Sequence, residues 1–122
     1  MTQQEITGSR KGDLKFSQWI RDNLPDSSFG FMVTDLDFIL YNYNTKKIML
    51  LELKMRNANL KKWQENIFNN LSKWIKKGID NDWTYLGFNI IKFQNQFFND
   101  GDCYLNNRKI TEIELKLFLS KI

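Results

Sequence analysis

Residues 34–56 have the sequence TDLDFILYNYNTKKIMLLELKMR. Two segments of this stretch, 34–41 and 48–56, are rich in aliphatic and aromatic residues that favour β-strands. The segment between them is polar, and its asparagines favour a turn. The stretch is therefore predicted to form a β-hairpin, and the other elements of the chain are expected to pack around it.

Charged residues interrupt both arms of this predicted hairpin. Asp35 and Asp37 lie in the first arm, and Glu52 and Lys54 in the second. Alternate residues of a strand share a face, and neighbouring strands lie about 4.8 Å apart, so these side chains can converge. Carboxylates grouped among leucines repel one another, and their burial is costly unless a cation neutralises them. Oxygen ligands of this kind suit Mg²⁺ or Mn²⁺.

Composition limits the chemistry that is open to the chain. Its 122 residues, 42% of them hydrophobic, predict one packed domain spanning residues 1–122. The chain has no histidine, which excludes catalysis that depends on a histidine base. Its one cysteine, Cys103, cannot form an internal disulfide or supply a thiolate cluster for zinc. The net charge of +4 is compatible with a polyanionic partner.

The sequence also predicts a location. No apolar run approaches the length of a membrane-spanning helix, and the first residues do not have a signal-peptide pattern. We therefore expect a soluble, cytoplasmic protein that makes no membrane contact, and a virus-encoded origin is compatible with this location.

Periodicity and capping signals predict the remaining elements. They are, in chain order, a helix over 9–23, a short strand over Phe29–Val33, a helix over Asn59–Lys77, a strand over Trp83–Phe93, a hairpin over Phe97–Leu105 and a last helix. Asn57 or Asn59 is expected to cap the long helix and Gly78 to end it. Asp100-Gly101 is the predicted turn of the second hairpin, and Thr111 with Glu114 forms a capping box.

A strand, a helix and a second strand in succession favour parallel pairing of the two strands. The predicted fold class is therefore α/β, with one mixed sheet flanked by helices and a hairpin and helix at the carboxyl end.

The pattern of Asp37, an apolar strand, a turn and then Glu52-Leu53-Lys54 resembles the PD-(D/E)xK nuclease superfamily. The resemblance covers about residues 9–93 and implies a restriction-endonuclease-like αβββαβ core. It implies that Asp37 and Glu52 hold a metal ion, Mg²⁺ or Mn²⁺. It further implies that Lys54 positions the attacking water or stabilises charge on the phosphate. The alternative is that Glu52 and Lys54 form an ordinary surface pair on a half-exposed strand.

The chain departs from this family pattern in two places. Leu36 stands where the family has proline, and Asp35 precedes it. Asp35 is a candidate additional metal ligand, a replacement for the expected one, or a charge at the hairpin edge without a function. Many family members also contribute an acid from the first helix, for which Glu5, Asp13 and the polar Gln18 are candidates.

The long helix supplies a further candidate. The spacing of Gln64 and Phe68 resembles a glutamine and tyrosine motif of recombination-type exonucleases in the same superfamily, which implies that Gln64 assists catalysis. An amide at the edge of an apolar stripe also has a purely structural explanation.

Candidate nucleic-acid contacts are the basic and aromatic residues beside the hairpin and at the start of the long helix: Lys61, Lys62, Arg56, Tyr41 and Tyr43. A solvated helix face is the alternative for the two lysines.

Together these features predict a Mg²⁺- or Mn²⁺-dependent deoxyribonuclease, with endonuclease action favoured over exonuclease action. A domain this small encloses little of a duplex, so a homodimer or a larger complex is expected, as in junction resolvases or phage-type endonucleases. The alternatives are a catalytically inactive nuclease-fold module that binds or inhibits a nucleic-acid machine, and an RNA-cleaving toxin or viral endonuclease.

Overall fold

The computed structural model describes residues 10–122, with side chains described from residue 14 onward. The described residues divide into two compact units, one that ends at Thr34 and one that comprises Asp35–Ile122. The first unit contains helix α1 at Arg10–Asn23, which confirms the predicted helix within the described residues.

The predicted strand at Phe29–Val33 is wrong. Residues 27–29 form a short 3₁₀ helix instead, and no strand follows it before residue 38. The side chain of Asp26 accepts a hydrogen bond from the backbone N–H of Ser28 and so starts this turn. Gly30 ends it with φ of 83°, a left-handed conformation that glycine adopts without strain. These local bonds stabilise a turn at residues whose composition alone favours a strand.

The second unit is built around one five-stranded sheet. Its strands are β1 at Phe38–Asn42, β2 at Lys47–Lys54, β3 at Thr84–Phe93, β4 at Cys103–Leu105 and β5 at Arg108–Ile110. They lie in the order β1-β2-β3-β4-β5, and only the β2–β3 pairing is parallel. Helix α2, at Lys62–Gly78, makes the crossover between these two strands, which confirms the predicted parallel pairing.

Each face of the sheet has a helix. On one face, the ring of Phe68 from α2 packs on Phe88 of β3 with centroids 5.0 Å apart. On the other face, Leu115 of helix α3, at Glu112–Leu119, belongs to a buried cluster with Leu51 and Ile91. Alternation along the strands directs successive side chains to the two layers. The mixed α/β sheet flanked by helices is confirmed.

Several boundaries differ from the sequence-based expectations. Strand β1 begins at Phe38 rather than at residue 34, so the two aspartates precede it. Helix α2 is capped by Lys61 rather than by Asn57 or Asn59, because the Gln64 side chain accepts a hydrogen bond from the Lys61 N–H. Gly78 is the last residue of this helix, and Ile79 follows as its carboxyl-terminal cap.

The second hairpin lies further along the chain than predicted. Its turn is Asn106-Asn107, with φ of 50° and 69°, as a tight two-residue hairpin turn requires. The Asp100 side chain instead accepts a hydrogen bond from the Phe97 N–H, and residues 98–100 form a 3₁₀ helix. The carboxyl-terminal hairpin and helix are thus present, and the capping box of Thr111 and Glu114 is confirmed.

None of the helices within residues 10–122 combines the length and the apolar content needed to cross a membrane.

The packing of α2 makes a prediction about stability. Phe68 is 2% exposed, whereas Trp74 on the same helix is 63% exposed. We expect Phe68→Ala to lower the free energy of unfolding by about 3–5 kcal/mol, because it leaves a cavity against Phe88. The matched Trp74→Ala should lower it by less than about 1 kcal/mol. Urea denaturation followed by circular dichroism measures both values, and equal losses would contradict the packing described here.

Candidate active site

The candidate site lies where the parallel strands β2 and β3 end and helix α2 begins. In open α/β sheets, ligands bind outside the carboxyl ends of the parallel strands. The unpaired N–H groups of a helix start add positive potential there. Lys54 and Lys92, near the ends of the two strands, and Leu60 and Glu65, at the start of α2, line one cavity at this place.

Glu52 is the buried carboxylate of the site. Only 3% of this residue is exposed, although it carries a potential charge. Its Oε1 accepts a hydrogen bond of 3.1 Å from the backbone N–H of Asp37, and its Oε2 lies 3.7 Å from Nζ of Lys54. Lys54 is itself half-buried. The structure therefore brings Asp37, Glu52 and Lys54 together, as the sequence predicted.

Asp37 precedes strand β1, and its side chain bonds to the neighbouring strand β2. Its Oδ2 accepts a hydrogen bond of 2.8 Å from the N–H of Leu53, while its own N–H donates to Glu52. These reciprocal bonds continue the pairing of β1 and β2 by one step beyond Phe38, the first residue of β1. The same bonds hold both carboxylates beside the end of β2.

The environment of Glu52 favours its protonated form. The pKa of Glu52 is raised from 4.5 to about 7, chiefly by burial. The nearby Asp37 carboxylate contributes to the rise, and the Asp37 N–H and Lys54 oppose it. A carboxyl group with a pKa near neutrality can both exchange a proton and ionise when a cation approaches. This property distinguishes Glu52 from an ordinary surface ion-pair partner.

The donor set fits Mg²⁺ or Mn²⁺ only as a partial shell. Among the residues that the structure describes, no three His, Cys, Asp or Glu side chains cluster as a metal-binding group. Asp37 and Glu52 are two carboxylates, and Mg²⁺ is commonly held by one or two carboxylates with water and substrate phosphate completing its shell. Asp35 is exposed, and its role as a metal ligand stays a prediction.

The contribution of an acid from the first helix stays a prediction. Glu5 lies outside the described residues, and Asp13 belongs to α1 without a described side chain. Gln18 interacts within its own helix, where its Nε2 donates a hydrogen bond of 2.8 Å to Asp22.

The Gln64 side chain forms a hydrogen bond that caps the start of α2. Its Oε1 accepts a 3.2 Å hydrogen bond from the Lys61 N–H, which is one of the amides that a helix start leaves unpaired. Phe68, its partner in the sequence motif, is buried against Phe88. The catalytic role of Gln64 stays a prediction.

Lys92 is a site residue that sequence reasoning missed. The parallel register places it directly opposite Lys54, and both side chains line the cavity at the start of α2. Its ammonium donates a hydrogen bond to the side-chain oxygen of Asn59. A signal was present, because Lys92 is the only charged residue of the apolar strand β3. Only the register of β2 and β3, however, brings it to the acidic hairpin.

The predicted nucleic-acid contacts fall into two groups. Arg56 follows Lys54 by two residues, and Lys61 and Lys62 are exposed at the start of α2. These three cations lie at the same end of the sheet as the site. Tyr41 and Tyr43 lie at the opposite end of the hairpin, about 20 Å away along β2 at 3.3 Å per residue.

Comparisons of the chain with protein-family models, with curated proteins and with solved structures find no match.

The raised pKa of Glu52 predicts that the stability of the metal-free protein falls as the pH rises. The pKa of Glu52 is about 7 in the folded chain, and we take the ordinary value of 4.5 for the unfolded chain. The folded state therefore binds the proton more tightly. The resulting stabilisation is complete below pH 4.5 and is lost as the pH rises to about 7, a loss of about 3 kcal/mol.

Urea denaturation in EDTA between pH 5 and 8 measures this loss. Glu52→Gln should flatten the profile, since the amide does not titrate, while the exposed control Glu112→Gln should keep the slope of the parent. A parent stability that does not fall over this range would contradict the burial of an ionisable Glu52.

Proposed function

We propose that the chain is a metal-dependent nuclease that hydrolyses phosphodiester bonds at the site formed by Asp37, Glu52 and Lys54. The observation that supports the proposal most strongly is the buried Glu52, held between the Asp37 N–H and the Lys54 ammonium. A buried acid beside a second acid and a lysine is costly for stability, and a phosphoryl-transfer site is a reason to keep it.

We assign a role in this chemistry to each of the three side chains. Glu52 and Asp37 would hold Mg²⁺ or Mn²⁺, with Asp37 fixed by the Leu53 N–H. When bound, the metal lowers the pKa of a coordinated water and offsets charge on the phosphate. The Lys54 ammonium, 3.7 Å from Glu52, is placed to stabilise negative charge that develops on the phosphate oxygens.

The charge around the site supports a nucleic-acid substrate. Arg56, Lys61 and Lys62 are exposed beside it and can contact backbone phosphates, in a chain with a net charge of +4. We propose DNA as the substrate and endonuclease action as the mode, in a homodimer or larger complex. The finer fold that we propose is restriction-endonuclease-like, with the parallel β2 and β3 and the crossover α2 as its central part.

One observation favours a second candidate function. In the part of the chain with described side chains, the site has two carboxylates and no third His, Cys, Asp or Glu to form a metal-binding group. A nuclease-fold module that binds nucleic acid or inhibits a nucleic-acid machine, without cleaving, is compatible with this reduced set.

The carboxylates provide the main test of the proposal. We expect Mn²⁺ to bind the parent in calorimetry and to support cleavage of plasmid, linear or branched DNA. Asp37→Asn and Glu52→Gln should each lower cleavage by about 100-fold or more, because each removes a charged ligand. Asp82→Asn is the matched control, since Asp82 pairs with Lys46 in an exposed ion pair. RNA of the same sequence tests the RNA-cleaving alternative.

Cleavage that persists in both site variants would contradict the proposed chemistry. Nucleic-acid binding without cleavage in the parent, at any metal concentration that leaves it folded, would support the binding module instead.

Asp35 can be tested separately. Asp35→Asn should change cleavage and Mn²⁺ affinity by less than about threefold, because Asp37 and Glu52 already supply the one or two carboxylates that commonly hold such an ion. A loss as large as that of Asp37→Asn would identify Asp35 as a ligand.

A further inference from the structure

The cavity of the candidate site lies at the start of α2, beside the acidic hairpin. Its volume is about 190 Å³, and its polar lining includes Lys54, Lys92, Asn59, Asn107 and Glu65. A space of this size accepts a small polar group, such as a phosphate with its nearest ester substituent.

The charges in this cavity favour an anion. Lys54 and Lys92 lie directly opposite each other on neighbouring strands, where like charges repel. The only carboxylate of the lining, that of Glu65, lies 3.5 Å from the exposed Lys62 and is thus shared with a cation outside the cavity. The start of the 17-residue helix α2 adds positive potential. Lys54 lies 3.7 Å from Glu52, whereas the ammonium of Lys92 donates to the neutral side chain of Asn59. The charge of Lys92 is therefore the one that a bound anion would chiefly neutralise.

The far wall of the cavity is held by a polar network. Asn106 donates a 2.9 Å hydrogen bond to the side chain of Asn89, which is 7% exposed, and accepts one of 2.9 Å from the Ile90 N–H. These bonds fix the β4–β5 turn against β3, so that the neighbouring Asn107 reaches the cavity. On the near side, Asn59 accepts a hydrogen bond from Lys92. Both lysine and amide groups are therefore preplaced to bind a ligand.

We infer that this cavity, called here the phosphate pocket, binds a single phosphate group of a nucleic-acid strand through Lys54 and Lys92. The identity of the strand rests on the proposed function, whereas the preference for phosphate rests on the cavity itself. The phosphate has two possible sources, an internal diester next to the cleaved bond or a terminal monoester. Lys92 belongs to substrate binding in either case, beside a Lys54 that also contacts Glu52.

The test measures binding in EDTA, so that it does not depend on cleavage. Full-length protein is titrated into fluorescent single strands of one sequence that carry a 5′-phosphate, a 3′-phosphate or only hydroxyl ends, and inorganic phosphate serves as competitor. Lys92→Met should weaken binding about tenfold or more, because a charge-assisted hydrogen bond is lost. It should also lower the slope of log affinity against log salt by about one.

Further variants separate the effect of losing the Lys92 charge from the effect of a disturbed structure. Lys92→Arg keeps the charge and should stay within about threefold of the parent, which a purely structural loss would not explain. Lys109→Met removes an exposed strand lysine outside the phosphate pocket and should change binding less than twofold. Lys92→Gln replaces Lys92→Met if the latter does not fold.

Each outcome has a defined meaning. A loss for all strands supports an internal diester, and a loss confined to phosphorylated ends supports a terminal monoester. Unchanged affinity and salt slope in Lys92→Met, or an equal loss in Lys109→Met, would overturn the inference. If the parent binds through Lys92 but never cleaves, the phosphate pocket is supported and the proposed nuclease is rejected. If the parent cleaves DNA and Lys92→Met binds as tightly as the parent, the nuclease is supported and the phosphate pocket is rejected.

Discussion

The buried carboxyl group of Glu52 is the constraint on which the site depends. It lies at the end of an apolar strand, where desolvation disfavours its charge, and the Asp37 N–H and the Lys54 ammonium offset only part of that cost. An apolar side chain of similar volume would generally stabilise such a position better. The arrangement therefore makes physical sense when another cation completes the charge balance.

The parallel pairing of β2 and β3 determines which groups surround this carboxyl. It places Lys92 opposite Lys54, and the crossover through α2 brings a helix start to the same end of the sheet. The acidic hairpin of β1 and β2 and the basic cavity at the ends of β2 and β3 thus adjoin at one end of the sheet. The acidic hairpin would hold a metal ion, and the adjoining basic cavity would hold a phosphate.

Local patterns predicted most of the elements, and tertiary contacts decided the rest. The crossover helix and the Thr111 capping box follow from short-range periodicity and hydrogen bonding. The start of β1 could not be predicted, because the Asp37 side chain bonds to Leu53 across the hairpin. The Asn106-Asn107 turn depends on the contact of Asn106 with Asn89, 17 positions away. Lys92 joined the site only through strand register.

The most direct measurement is the titration of the Glu52 side chain by carbon-detected NMR, with and without Mg²⁺. We expect a pKa of about 7 for Glu52 in metal-free protein and a decrease of more than about one unit when Mg²⁺ binds, because the metal favours the ionised form. Asp37→Asn should abolish this decrease. A metal-free pKa near 4.5, or one that Mg²⁺ does not alter, would contradict the central claim that Glu52 is a buried metal-binding acid.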